Sequence, residues 1–452
     1  MKRQPVILAV LAASILAGCQ SYQRWDLDPE SARREWRGRD VMAPDVKEFA
    51  AELAKLEASP RVYNPADGVD LAEAEVICLF FNPDLRAKRL EADVALAGAR
   101  AAGEWDNPEL DLSVGRVLES VANPWVLAAS ISFTIPLSGR PGIERDLAFA
   151  QHRVQWRQVL ADEWTTVAHL RELWRQHAAT LRSIELLQAH VDSLTIAGGR
   201  ADKLVKAGEL HATDGRLLAI EKAQAAAELA EARRLADIQA REIKAWLGLT
   251  PQAQIKFNVA LQTTATIQET VARENSPTVA VRREAYQVAE QQLRLEIQKQ
   301  YPDLRIGPGF ELDDGQSKIM LGFGIPIPII NLNRRGIAEA AASRKAARAA
   351  YDAACLRLYA DIDLAQSRLI SARALRSELE RELAPLVDKQ VEDINKRAEL
   401  GEFDALLMLE GLKSNLEAKQ RILQAALDEA HAADALSVLA GPNWKKEAPK
   451  EK

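Results

Sequence analysis

Two stretches of this chain carry the same landmarks in the same order, about 190 residues apart. Asn82-Pro83 returns as Ser276-Pro277, and Ile135-Pro136-Leu137 returns as Ile325-Pro326-Ile327. Ala207-Gly208-Glu209-Leu210 returns as Leu400-Gly401-Glu402-Phe403, and Leu247-Gly248-Leu249 returns more loosely as Leu439-Ala440-Gly441. Measured at Pro83, Pro136 and Gly208, the offsets are 194, 190 and 193 residues. One such match is weak, but four in order imply an internal duplication. The chain therefore uses one structural unit twice.

Each copy spells out the same element order. A helix is expected over Pro83 to Gly103 and again over Pro277 to Lys299, each opened by a capping side chain followed by proline. The hydrophobic period then drops to two. Leu110, Leu112 and Val114 alternate with Asp111, Ser113 and Gly115, and Ile131, Phe133 and Ile135 with Ser130, Ser132 and Thr134. In the second copy Leu304, Ile306 and Phe310 alternate with Arg305, Gly307 and Gly309. Ile319, Leu321, Phe323 and Ile325 alternate with Lys318, Met320, Gly322 and Gly324, after an Asp314-Gly315 turn. These are strands with one apolar face, each about 9–10 residues long, which suits a tilted strand crossing a bilayer.

A long helical run follows each hairpin. No proline interrupts the chain between Pro141 and Pro251, and a helix from Ile143 to Ala207 would be near 100 Å long. Its counterpart runs from Arg334 to Leu400, with Pro385 the expected kink. Return helices are expected over Leu210–Leu247 and Phe403–Leu439. The second has a coiled-coil seam of Leu409, Leu412, Leu416, Leu423, Ala426, Ala430 and Ala433, broken by the polar Lys419. Helices this long cannot bury their faces within one globule and need lateral partners. Four strands cannot close a membrane barrel either, because the smallest need about eight. Three chains would supply twelve strands and pool their helices into a tube.

Composition fits long packed helices: of 452 residues, 48% are hydrophobic, 27% charged and only 5% aromatic. The net charge of −6 and the lack of a basic block speak against nucleic-acid binding. At the N-terminus, Lys2 and Arg3 precede an apolar run from Val6 to Ala17, too short for a transmembrane helix and fit for a signal peptide. It ends Leu16-Ala17-Gly18-Cys19, which resembles the lipobox of bacterial lipoproteins. That resemblance implies cleavage before Cys19 and a lipid on its sulfur, with Gln20 favouring the outer membrane. Cys78 and Cys355 are expected to be unpaired structural residues.

Taken together, residues 68 to 441 resemble the TolC-type outer-membrane efflux family. The resemblance is carried by Asn82-Pro83, by Ile135-Pro136-Leu137 before Gly139-Arg140, and by Gly401-Glu402-Phe403. The segment from Ile325 to Gly336, with Pro326, Pro328, Asn331, Asn333 and Gly336, resembles the CzcC-like heavy-metal branch, although Leu332 stands where many relatives carry Arg. The resemblance implies a mainly α protein with β-hairpins. In it, long coiled-coil-like helices form a trimeric α-barrel, and four strands per chain form a 12-stranded transmembrane β-barrel. It implies a homotrimer in outer-membrane lipid that meets a periplasmic adaptor and an inner-membrane pump of the resistance-nodulation-division type. Substrate would pass through passively, and heavy-metal cations are one candidate.

The expected organisation is a signal peptide over 1–18, a lipid-anchored segment over 19–67, repeat 1 over 68–249, a linker over 250–270, repeat 2 over 271–441 and a charged tail over 442–452. By resemblance, Gly208, Glu209 and Leu210 form one adaptor-contacting tip and Gly401, Glu402 and Phe403 the other. Glu410 is the candidate gate carboxylate, with Leu407 one turn earlier where a second acid is usual. Trp105 and Trp125 flank the first hairpin as interface anchors or core residues. No catalytic or cofactor motif is present, and His152, His169, His177, His190, His211 and His431 make no close ligand pair, so neither an enzyme nor a bound metal is expected. Two alternatives stay open: a channel for drugs or other small molecules, and a lipid-anchored periplasmic coiled-coil scaffold without a pore.

Overall fold

The computed structural model describes residues 22–56, 63–261, 272, 274–327 and 329–441. The signal-peptide region, Cys19, Pro328, residues 262–270 of the linker and the charged tail lie outside the described residues. The chain divides into two units, residues 1–40 and 41–452. In the first, α1 (Pro29–Arg37) is capped by Asp28, whose carboxylate accepts from the Glu30 N–H at 3.1 Å, and α1 has no buried residue.

The second unit holds both repeats. It begins with α2 (Pro44–Leu56), a 3-10 turn (Pro65–Asp67), α3 (Leu71–Phe81) and α4 (Pro83–Arg100). A capping box of Asp70 and Glu73 is complete at the start of α3, and Asn82 caps α4 by accepting from the Asp84 and Leu85 N–H groups. Next come β1 (Glu109–Arg116), β2 (Trp125–Ile135), α5 (Arg140–Ala207) and α6 (Ala212–Trp246). The second repeat gives α7 (Pro277–Gln298), β3 (Leu304–Asp313), β4 (Gln316–Gly324) and α8 (Arg334–Glu378). A π-helical turn (Leu379–Leu383), α9 (Ala384–Glu399) and α10 (Ala405–Ala440) complete it. Helix α5 has 68 residues and is therefore about 100 Å long.

The irregularity expected at Pro385 lies just before it. Proline has no N–H for the carbonyl four residues earlier, and its ring crowds that carbonyl, so the disturbance appears around Arg381 as the π turn.

Helix α5 is the spine of the unit, packing against α4, α6, α7 and α10. One core joins α3, α5 and α6 through Ile77, Cys78, Trp174, Ile243 and Leu247. Another joins α8 and α10 through Leu358, Ile362, Ala433 and Leu436. Polar ties cross between the repeats. Trp164 Nε1 donates to the Val438 carbonyl at 2.8 Å, Arg175 pairs with Asp434 at 2.9 Å, and Arg171 Nη1 donates to Ser437 at 2.7 Å. Within the first repeat Glu163, 2% exposed at its side chain, is held by Arg89 at 2.6 Å.

The seam of α10 differs from the sequence expectation. Leu409, Leu416, Leu423 and Ala426 are only half-buried. The buried stripe is Ala405, Met408, Leu412, Ala418, Ala425, Ala430, Ala433 and Leu436. Small residues let α10 lie close to its neighbours, which puts the bulkier leucines to the side of the contact.

Candidate channel wall, tips and gate

The four strands form one antiparallel sheet in the order β1-β2-β3-β4, so β2 and β3 join the two hairpins. The register sorts the side chains. Leu110, Leu112 and Val114 stand opposite Ile131, Ala129 and Leu127. Leu127 and Ala129 stand opposite Leu312 and Phe310, and Phe310 stands opposite Ile319. Leu321 and Phe323 continue the same face. One face is thus apolar across all four strands, and it is open: Leu112 is 71% and Ile319 88% exposed. The other face carries Asp111, Ser130, Ser132, Thr134, Glu311, Lys318, Gly322 and Gly324. Lys318 pairs there with Asp313 at 2.7 Å and Glu311 at 3.5 Å. Pro308 interrupts the β2–β3 ladder, and at Gly307 the strands come so close that a Cβ would lie 2.5 Å from the Ile131 carbonyl oxygen.

Strands β1 and β4 pair on one side only and are exposed throughout. Such bare, flat, apolar edges are templates for pairing with another chain. At the turn end of the sheet, Arg116 stacks over Trp125 with its guanidinium carbon 5.6 Å from the ring centre, and Trp105 is 65% exposed near the opposite end.

The two tips come together. Gly208 and Gly401 end their helices with φ of 80° and 91°, backbone that glycine adopts without a side-chain clash. Both hairpins share one core of Leu194, Ala201, Leu218, Ile394, Met408 and Leu412. Leu210 and Phe403 pack against that core and are half-buried. Part of each side chain is thus used to hold the two tips together. Glu209 and Glu402 are exposed, and Glu402 pairs with Arg397 at 3.3 Å. The exposed apolar residues of the second tip are Leu400, 84% exposed, and Leu406, 66% exposed, neither among the tip contacts expected from sequence. Arg200 and Glu399 pair between the tips at 3.6 Å.

Glu410 is exposed on α10 and belongs to no group of metal-holding side chains among the described residues. Leu406, Glu410, Glu417, Arg421 and Asp428 form an exposed stripe at helical spacing. Leu407 packs into the tip core. On the same helix, Asn415 and Lys419 donate to Asp388 of α9 at 2.9 and 3.1 Å. The Asn415 hydrogen bond first, and then Lys419, hold its carboxyl below the usual range despite some burial. Lys419 therefore leaves the seam to meet this partner.

His152, His177 and His190 are buried along α5, and burial pushes each below the ordinary imidazole value. Cys78 is a buried free thiol pushed up to about 12, chiefly by burial, and Cys355 is also free. Among the described residues no three His, Cys, Asp or Glu side chains are grouped to hold a metal ion. No described helix is long and apolar enough to cross a membrane.

The fold thus joins a four-stranded sheet with one open apolar face to paired long helical hairpins. Residues 79–249 match the family of outer membrane efflux proteins. The chain is 24% identical over 348 residues to the cobalt-zinc-cadmium resistance protein CzcC of Cupriavidus metallidurans, covering 76% of this chain and 82% of that protein. Among solved structures, the outer membrane protein VceC of Vibrio cholerae is similar with a TM-score of 0.69 and 16% identity, over 82% of this chain and 96% of VceC. The open-state outer membrane channel MtrE of Neisseria gonorrhoeae gives a TM-score of 0.67 and 14% identity, over 94% and 98%. The resemblance to the TolC-type outer-membrane efflux family is met by a sequence match in the first repeat, and the fold of both repeats is like that of VceC and MtrE.

Proposed function

We propose that three copies of this chain form an outer-membrane channel that passively conducts heavy-metal cations outward. The observation that carries this reading is the sheet, with one continuous apolar face and two bare edges at one end of a 68-residue helix. Three such sheets joined edge to edge make a closed twelve-stranded wall, which removes the edges and turns the apolar face to lipid. The opposite face, with Ser130, Ser132, Thr134, Gly322 and Gly324, then lines water. The open apolar residues of α6 and α8, such as Ile220 at 56% and Leu356 at 69% exposure, support lateral packing of the helices between copies.

In this reading residues 1–18 are removed and a lipid on Cys19 tethers the segment to residue 67 in the outer membrane. The repeats 68–249 and 271–441, joined by the linker 250–270, build the wall and the periplasmic tube, and 442–452 is a charged tail. The tips at Gly208, Glu209 and Leu210 and at Gly401, Glu402 and Phe403 meet the adaptor of a resistance-nodulation-division pump. Three copies of Glu410 near the axis repel one another and favour cations. The name of the Cupriavidus relative favours metal over drug.

A deletion strain tests the substrate. Loss of cobalt, zinc or cadmium tolerance, restored by this chain, is expected. Unchanged metal tolerance with lost drug tolerance would replace metal by drug in this reading. In planar bilayers Glu410→Gln should lower cation preference, and an unchanged preference would remove Glu410 from the gate.

A further inference from the structure

The turn between β4 and α8 carries a run of open apolar side chains. Ile327 is 73%, Ile329 77% and Ile330 91% exposed. Isolated exposed apolar residues are ordinary, but several in one short turn mark a contact surface. We propose that this turn is a lipid-binding element that inserts its isoleucines into the inner leaflet of the outer membrane and holds anionic phospholipid headgroups with Arg334. The inference rests on the reading of the sheet as a membrane wall.

Three observations choose lipid as the occupant. The first is continuity. In β4 the apolar face is Ile319, Leu321 and Phe323, and the same alternation carries on to Ile325, 53% exposed, where the strand ends. The turn therefore prolongs the surface assigned to lipid. The second is position. Ile135 stands opposite Leu304, and Arg305 opposite Gly324, so this end of the sheet is where strands hand over to helices and apolar surface gives way to water. Leu137, 63% exposed, and Tyr301, 59% exposed, leave the sheet at the same end. The third is charge. Arg334 is exposed and its side chain has no partner among the described residues, while Arg335 pairs only with the exposed Glu339 at 2.8 Å. An apolar ridge beside free arginine is the chemistry that binds a leaflet of anionic lipid.

The ridge is held in place from behind. Asn333, with φ 50°, donates from Nδ2 to the Glu296 carbonyl at 2.8 Å and to its carboxylate at 2.7 Å. Gln300 donates to the Leu332 carbonyl at 2.8 Å, and the Ile329 N–H donates to the Ile327 carbonyl at 2.9 Å. The Asn333 and Gln300 bonds tie the turn to the end of α7, and its isoleucines are left exposed. Ordering entropy is thereby spent before lipid arrives.

The test uses the full-length protein reconstituted in phosphatidylcholine vesicles with or without phosphatidylglycerol. Single cysteines for a fluorescent label are placed at Ile330→Cys, Leu321→Cys and Glu339→Cys in a Cys355→Ser parent. That parent is checked for absence of labelling, since Cys78 is buried. Nitroxide lipid should quench the Leu321 label strongly, the Ile330 label at roughly half that strength or more, and the Glu339 label at background. Phosphatidylglycerol should increase quenching at Ile330, and Arg334→Gln should remove that increase.

Quenching at Leu321 with background quenching at Ile330 overturns the inference and leaves the membrane reading standing. An Ile330 label shielded from both nitroxide lipid and aqueous iodide means a protein contact and also overturns it. Background quenching at Leu321 overturns the membrane reading and the inference with it. Quenching at Ile330 that is the same with and without phosphatidylglycerol overturns the headgroup role of Arg334.

Discussion

Neighbouring residues of β4 should respond oppositely to the same substitution. Leu321 and Met320 are at the same depth of the sheet, but Leu321 lies on the apolar face opposite Pro308 and Met320 on the polar face opposite Gly309. If the apolar face meets lipid, Leu321→Arg places a guanidinium in hydrocarbon near mid-strand. A lipid-facing arginine at that depth costs about 2–4 kcal/mol per chain. At 1.4 kcal/mol per factor of ten, that is a roughly 30- to 700-fold shift toward the unfolded or uninserted state. Met320→Arg puts the same charge in water, in the row that continues through Gly309 and Ser130 to Asp111, and should leave stability within about 0.5 kcal/mol, the range for surface substitutions. The assay is urea unfolding in phospholipid vesicles, with the folded trimer followed on unheated gels. Met320→Arg should instead lower the cation preference of the pore. Equal destabilisation by the two variants, or a larger effect of Met320→Arg, would refute the assignment of faces.

Other outcomes follow from the helical part. Arg89→Ala removes the guanidinium held at 2.6 Å from the buried Glu163 carboxylate and should cost about 3–5 kcal/mol, whereas Glu163→Gln should cost only about 1–3 kcal/mol, read by chemical denaturation of the trimer. The reverse order would mean that Arg89 is not the counter-charge. Acid should loosen the helices. Because His152, His177 and His190 titrate lower when folded, the stability they confer is complete above the unfolded histidine value of about 6.5 and is lost as pH falls toward the folded values. Melting curves between neutral pH and about pH 5 should show the loss, and a His177→Gln/His190→Gln double variant should show less of it.

The strands were legible because a half-buried strand writes its faces into alternate residues, as Leu110–Gly115 and Lys318–Ile325 do. The long helices were legible from duplicated capping and turn residues. Helix α7 begins at Pro277 as expected, and α5 starts at Arg140, three residues before Ile143. Packing within the helical wall was less legible. Hydrophobicity selects Leu409, Leu416 and Leu423 as a seam, but close approach selects Ala418, Ala425 and Ala433, and a single sequence does not rank these demands. The tips show a similar limit. Leu210 and Phe403 mark a turn correctly, yet the direction of their side chains depends on a core shared by two repeats. The exposed Leu400 was hidden because nothing in its own repeat distinguishes it from a core leucine. Glu296 and its bond to Asn333 join residues 37 apart, so the structural reason for Asn331-Leu332-Asn333 became visible only in three dimensions.

The central claim is that β1 of one copy pairs with β4 of the next until three copies close a ring. Cysteine pairs scanned along those two edges, such as Leu112→Cys with Leu321→Cys, can be oxidised in intact outer membranes and separated without reductant. The account predicts at least one register that yields covalent trimers and nothing larger, returning to monomer on reduction. Cross-links that run past three copies, or that form in no register although the single-cysteine proteins assemble, would contradict it.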